Sequence, residues 1–169
     1  GTLGRGGCTF CNVSSFADES AQQLSVVQQL LARRDEVTRA RRYLAYFQAY
    51  TSTYAEVEYL QRMYEEALSV SDMVGLCVGT RPDCVPDAVL DLLAGYQARG
   101  YEVWLELGLQ SANDKTLQRI NRGHGYAAYA DAVARAHLRG IKVCAHLIVG
   151  LPGEVPMDSL ETLHRVVET

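Results

Sequence analysis

The stretch "GGCTFCN" places Cys8 and Cys11 three positions apart, behind a glycine-rich run and with Phe10 directly before the second thiol. Thiolates at this spacing can hold zinc, form a redox dithiol, or ligate part of an iron–sulfur cluster. A structural zinc site takes four ligands, usually from two such pairs. Only one pair is present, and His124, His137, His146 and His164 lack the close spacing of a zinc finger. A thioredoxin-like dithiol stands between a strand and a helix start, whereas residues 12–18 separate this pair from the first helical pattern. An iron–sulfur site needs soft thiolates offered from a loop, which this stretch can supply. The opening glycines (Gly1, Gly4, Gly6, Gly7) do not spell GxGxxG and follow no strand, so neither a dinucleotide fingerprint nor a P-loop is supported.

Other residues with chemical potential sit inside apolar runs. In "YEVWLELGLQ", Glu106 shares parity with Trp104, Gly108 and Gln110. A carboxylate late in an apolar strand needs a partner or an aqueous cavity. His146 in "KVCAHLIVG" is the matching case, readable equally as a satisfied core histidine. Cys77 and Cys144 lie in apolar runs and read as small core residues. Five cysteines on a chain of this length are not a disulfide framework, and a reducing cytoplasm is the expected compartment.

The elements that must position these residues alternate regularly. Ser20 and Gln23 have capping-box spacing ahead of the stripe Leu24, Val27, Leu30 and Leu31. Thr53 and Glu56 repeat that spacing before Val57, Leu60, Tyr64 and Leu68. Pro86 suits a helix first turn and Gly100 a stop. Further helices are expected near 113–119 and 126–138, the latter ended by Gly140, and a last one capped by Asp158 and Glu161. Strand-like runs fill 43–47, 73–78, 101–107 and 142–150. Regular β–α units mean parallel strands, so the class is α/β: an open doubly wound sheet or an arc of a (β/α) barrel.

Either architecture puts function in the loops after the strands' carboxyl ends. Those loops read "QAYTST", "GTRPDC", "GLQSANDKTLQRINRGH" and "GLPGE". All are rich in glycine and hydrogen-bonding groups, which suits a cofactor with several polar handles. A phosphate-binding barrel enzyme is a further reading of the same loops.

These segments, in this order, resemble the radical S-adenosylmethionine (SAM) superfamily. "CTFC" is similar to the last two cysteines of its cluster motif, and "YFQAYTST" to its second-strand region. "GTRPD" and "ELGLQSANDKTLQRINRGH" resemble the Elongator catalytic subunit and oxygen-independent coproporphyrinogen oxidase. "HLIVGLPGE" resembles their fifth-strand segment, and YhcC-type radical SAM proteins share the pattern over nearly the whole chain. The resemblance implies an incomplete (β/α)6 TIM-like barrel, with strands one and six outside this stretch. It implies a [4Fe–4S] cluster held by three cysteines, with SAM on the fourth iron. SAM would be cleaved reductively to a 5′-deoxyadenosyl radical that takes hydrogen from a substrate, and the partners implied are SAM, a reductant protein and that substrate.

Carried over by position, Cys8 and Cys11 match cluster ligands and Phe10 the aromatic residue beside them. Gln48, Ala49, Tyr50 and Thr51 match the segment at the SAM amino group, and Thr80 and Arg81 the next strand end. Glu106, Gln110 and Ser111 match the strand end that meets ribose and carboxylate, and Arg122 is the expected carboxylate partner. Ile148 and Gly150 match the segment near adenine. The chain departs from the family in two respects: the first cluster cysteine should lie upstream of Gly1, and "QAYT" has Ala and Tyr where the motif has glycines.

Composition sets outer bounds. The chain is 48% hydrophobic and 21% charged, with net charge −4 and a pI near 5.5. That balance exerts no general pull on nucleic acid and gives a tRNA substrate no support. Arg33, Arg34, Arg39, Arg41 and Arg42 read as a solvated helix end. No apolar run has the length of a membrane span, and no signal peptide is visible. The chain starts without Met and stops in a helical pattern, so a piece of a longer protein is expected: a cluster loop over 1–19 and β/α repeats over 20–169. Isolated, it is expected to be inactive. The rival from the cysteine pair alone is a zinc-stabilised α/β binding module without catalysis.

Overall fold

Strand β3 (Glu102–Gln110) changes face at every residue, and the whole architecture follows from that alternation. Val103, Leu105, Leu107 and Leu109 are buried, while Glu102, Trp104, Glu106, Gly108 and Gln110 share the opposite, half-buried face. The computed structural model describes residues 7–11, 23–37, 39–48 and 51–169. Within it β3 lies in a four-stranded parallel sheet with β1 (Tyr43–Phe47), β2 (Met73–Thr80) and β4 (Lys142–Leu147), in spatial order β1-β2-β3-β4. Spatial order thus equals chain order. A doubly wound sheet reverses order at a switch point; an unreversed run is the arc of a barrel. The choice that hydrophobic pattern left open is settled by this order.

The core sits on one side of the arc. Helix α2 (Val57–Leu68) buries Leu60, Tyr64, Ala67 and Leu68. Helix α3 (Asp87–Ala98) buries Val89, Leu90, Leu93 and Tyr96, and α5 (Tyr126–His137) buries Tyr129, Ala132, Val133 and Ala136. They pack with Ala45, Leu76, Val78 and the odd-numbered residues of β3 in one cluster. Each fully buried Leu contributes about 1.5–3 kcal/mol. The even-numbered face of β3 takes no part in that cluster. Gly75 lets β2 and β3 close up, because a Cβ there would strike the Glu102 backbone.

Several local details differ from the sequence reading. Helix α1 (Val26–Glu36) is capped by Ser25, whose Oγ accepts from Gln28 N at 3.2 Å while Gln28 Oε1 accepts from Ser25 N at 2.9 Å. Ser20 lies outside the described residues, and Leu24 is exposed ahead of the helix. Thr53 does not cap α2; Glu56 precedes that helix without a side-chain bond. Pro86 stands just before α3 rather than in its first turn. The expected stops hold: Gly100 and Gly140 adopt φ of +90° and +70°, a region that glycine enters without a Cβ clash.

Helix α4 (Asp114–Arg119) is capped by the Asn113 side chain, which accepts from Lys115 N at 3.0 Å. Helix α6 (Pro156–Val167) starts two residues before Asp158, whose Oδ2 accepts from Val155 N at 2.7 Å, and Glu161 lies inside the helix. Strand β3 runs on to Gln110, while β4 ends at Leu147. Cys77 and Cys144 are not core residues: both are half-buried on the face away from the helices. Among the described residues no helix is long and apolar enough to cross a membrane.

Candidate cofactor site at the carboxyl end of the sheet

The parallel strands deliver their carboxyl ends to one edge, and the cysteine turn is docked there. Cys11 N donates to Cys8 O at 3.1 Å, closing a tight turn entered through Gly7 at φ +74°. Thr9 N donates to Ile120 O at 3.0 Å, and Asn121 Nδ2 donates to Gly7 O at 2.7 Å. Cys8 is half-buried; Cys11 and Phe10 are exposed.

Arg122 joins this turn to β3. Its backbone N donates to Leu117 O at 2.9 Å, folding the end of α4 back towards the sheet. The guanidinium is buried; Nε donates to Gly108 O at 3.2 Å, Nη2 donates to the same oxygen, and Nη1 donates to Cys8 Sγ at 3.4 Å. Gly108 is required by this arrangement: a Cβ there would lie 2.5 Å from Arg122 Nη2 and 2.8 Å from Gln110 Nε2.

Around Cys8 stand the Arg122 guanidinium, an Arg81–Asp83 ion pair and His124. Arg81 makes a two-pronged pair with Asp83, at 2.9 and 2.8 Å. Burial opposes both charges, but the pair outweighs it, holding the Arg81 pKa up and the Asp83 carboxyl down. Cys8 lies close enough to act on the Arg81 charge. His124 Nδ1 faces Gly125 O at 3.2 Å, and a carbonyl can only accept, so Nδ1 carries the proton. Nε2 of that ring is buried with no hydrogen-bond partner among the described residues. Burial, then the Arg122 charge, push the His124 pKa down, so the ring is neutral at neutral pH.

A second constellation occupies the open face of the sheet. Glu106 Oε2 accepts from Tyr46 Oη at 2.8 Å and contacts His146 Nε2 at 2.7 Å, while Oε1 accepts from Cys77 Sγ at 2.8 Å. Register explains the meeting, since Tyr46 pairs with Cys77, Gly79 with Glu106 and Glu106 with Cys144. Burial alone would raise the Glu106 carboxyl; the three donors outweigh it and hold it below its ordinary value. Burial and the Glu106 carboxylate push the thiols of Cys77 and Cys144 and the Tyr46 hydroxyl upward. A separate groove of about 880 Å³, lined by Thr53, Asp83, Cys84 and Arg135 among others, includes neither Cys8, Arg122 nor Glu106.

The family model of the radical SAM superfamily matches residues 4–166. The chain belongs to the radical SAM superfamily. It is 66% identical over 169 residues to protein YhcC of Escherichia coli K12, covering all of this chain and 55% of YhcC. It is 39% identical over 172 residues to YtqA of Bacillus subtilis, covering 99% of this chain and 53% of YtqA. The chain thus spans about half the length of these curated relatives. Among solved structures, coproporphyrinogen III oxidase (HemN) of Escherichia coli superposes with a TM-score of 0.63 at 21% identity, over 96% of this chain and 38% of HemN. Elp3 of Methanocaldococcus infernus gives 0.66 at 20% identity, over 83% of this chain and 37% of Elp3. These two likenesses show the fold, and they agree with the barrel arc.

Of the positions expected from sequence, Thr80 and Gln110 end their strands, Gln48, Arg81, Ser111, Ile148 and Gly150 follow strand ends, and Glu106 lies on the open face. Gln48 is exposed just past β1, Thr51 is half-buried, and Ala49 and Tyr50 lie outside the described residues. Thr53 Oγ1 donates to Cys84 O at 2.5 Å, so Thr80 Oγ1 must donate in the 2.7 Å bond between the two hydroxyls. Ser111 is buried; its Oγ donates to Glu154 Oε1 at 2.5 Å and accepts from Asn113 N at 3.1 Å. Gln110 has φ +75°, a left-handed backbone uncommon for a residue other than glycine, where the β3–β4 register shifts. Its carbonyl accepts from Ile148 N at 2.9 Å, and Gly150 follows at φ +83°.

The donors present fit the superfamily's cluster in kind: two thiols on one turn beside buried guanidinium charge. Cys84 is buried in the short 3-10 turn Pro82–Cys84, and Cys77 and Cys144 face Glu106. Sequence reading missed Asn121 and His124, though both stand in the same "NRGH" as Arg122. It also missed Tyr46, Cys77 and Cys144 beside Glu106; their common parity across paired strands was the available signal.

Proposed function

We propose that this chain carries the cofactor-binding part of a radical SAM enzyme, with Cys8 and Cys11 as two ligands of a [4Fe–4S] cluster and SAM lying across the carboxyl ends of β1–β4. The observation that carries this reading is the Arg122 guanidinium, bonded at once to Cys8 Sγ and to Gly108 O of β3. Cys8 and Cys11 would hold the cluster, whose chemistry when bound would be one-electron reductive cleavage of SAM. A reductant protein supplies that electron, and a substrate supplies the hydrogen atom.

The chain's own residues bind and orient. Arg122 and Asn121 hold the cysteine turn in place, and the Arg122 guanidinium brings positive charge to Cys8. That charge suits an anionic cluster and the SAM carboxylate. Gly108 and Gly150 present bare backbone, allowing a ligand close approach. Phe10, exposed directly before Cys11, would lie beside the cluster on this reading.

Anaerobic iron–sulfide reconstitution of the full-length protein tests the assignment. One [4Fe–4S] cluster per chain is expected. Cys8→Ala or Cys11→Ala should abolish it, while Cys84→Ala should keep it. Iron and sulfide contents unaffected by the first two substitutions would overturn the reading.

A further inference from the structure

We infer that the open face of the sheet carries a divalent metal site, separate from the cysteine turn, in which Cys144 Sγ, a His146 ring nitrogen and a Glu106 carboxylate oxygen hold a zinc-type ion. Their ligand atoms all lie within 4.8 Å of one another. A tetrahedral zinc with bonds of about 2.0–2.3 Å keeps its donor atoms about 3.3–3.8 Å apart, so small side-chain rotations close the set.

Rigid elements position all three ligands. Cys144 and His146 are two residues apart on β4, hence on one face, and Glu106 stands opposite Cys144 on β3. No loop takes part. The carboxylate is oriented from the other side by Tyr46 Oη and Cys77 Sγ, both at 2.8 Å, as ligating carboxylates commonly are by outer donors. A mixed sulfur, nitrogen and oxygen set suits zinc and its late first-row neighbours, and disfavours magnesium and calcium, which take oxygen alone.

Access and coordination number give the site a function. The side chains of His146 and Glu106 are 44% and 18% exposed, so the ion can enter from the open face. Three protein ligands leave the fourth position of a tetrahedral ion free, the pattern of a zinc that binds a reactant. A substrate carbonyl or hydroxyl oxygen is the ligand class that position takes. Metal binding releases the Cys144 thiol proton and exchanges the His146–Glu106 hydrogen bond for two bonds to the ion.

The test uses the full-length protein in a Cys8→Ala, Cys11→Ala background, so that the cysteine turn holds no metal. Zinc chloride should bind at about one ion per chain. Cobalt(II) in its place should give a tetrahedral spectrum with a thiolate charge-transfer band. Cys144→Ala should remove that band, and Cys144→Ala or His146→Ala should weaken zinc binding at least about tenfold. Cys84→Ala should change neither, and melting curves show that each variant is folded. Failure to bind zinc stoichiometrically, or a cobalt spectrum indifferent to Cys144→Ala, would overturn the site. Iron content is a separate readout, so that failure leaves the cluster assignment standing.

Discussion

Gly108 is the residue on which the cysteine turn depends most indirectly, because it contributes only space and a carbonyl. Gly108→Ala would put a methyl group 2.5 Å from Arg122 Nη2, and the guanidinium, not the strand, would move. The expected result is a folded protein that has lost the Arg122 bonds to Gly108 O and Cys8, at a stability cost of about 1–3 kcal/mol, and that retains less iron after reconstitution. Wild-type iron content in a folded Gly108→Ala protein would contradict this. Glu106 gives a second residue-scale prediction. Its folded pKa is lowered, so its contribution to stability is complete above the unfolded carboxylate range, about pH 4.3, and disappears as pH falls through the folded value. Denaturation curves should therefore show wild-type stability falling more steeply below about pH 4.3 than that of Glu106→Gln. Parity made Glu106 legible in sequence as a strand carboxylate in need of a partner. Its partners were not legible, since Tyr46, Cys77 and His146 come from three different strands and meet only through register.

At the scale of elements, the buried threonine pair is the clearest tie between the loop after β1 and the end of β2. Thr53→Val would leave Thr80 Oγ1 and Cys84 O without their partner, costing about 1–3 kcal/mol in denaturant unfolding. On β3, Leu107 is fully buried, and Leu107→Ala should cost about 2–5 kcal/mol. A loss under 1 kcal/mol at Leu107 would contradict the one-sided core. Strands and helices were readable because short apolar runs alternate with stripes of period 3.6 from Tyr43 onward. Caps were less readable. Thr53 and Glu56 have capping-box spacing, yet the Thr53 hydroxyl is drawn into a tertiary bond instead, and Ser25 rather than Ser20 caps α1. Nothing local distinguishes a hydroxyl that caps from one that crosses to another strand.

At the scale of the molecule, the unreversed strand order is that of a barrel arc, with the helices packed on one side and Glu106, Cys77, Cys144 and His146 on the other. The cysteine turn closes over the carboxyl edge of that arc through Arg122. Hydrophobic pattern did not choose between arc and doubly wound sheet, because both are built from the same β–α units; the family resemblance implied the barrel arc, and the spatial order agrees with it. The proposed cofactor site lies at the edge of the sheet, and the proposed metal site on its open face. The central claim is that the edge supports reductive cleavage of SAM. Its most direct test is 5′-deoxyadenosine formation from SAM by the reconstituted full-length protein with a strong reductant under anaerobic conditions. The account predicts 5′-deoxyadenosine that depends on reductant and is lost in Cys8→Ala; a reconstituted protein that forms none, or forms it equally without Cys8, would contradict it.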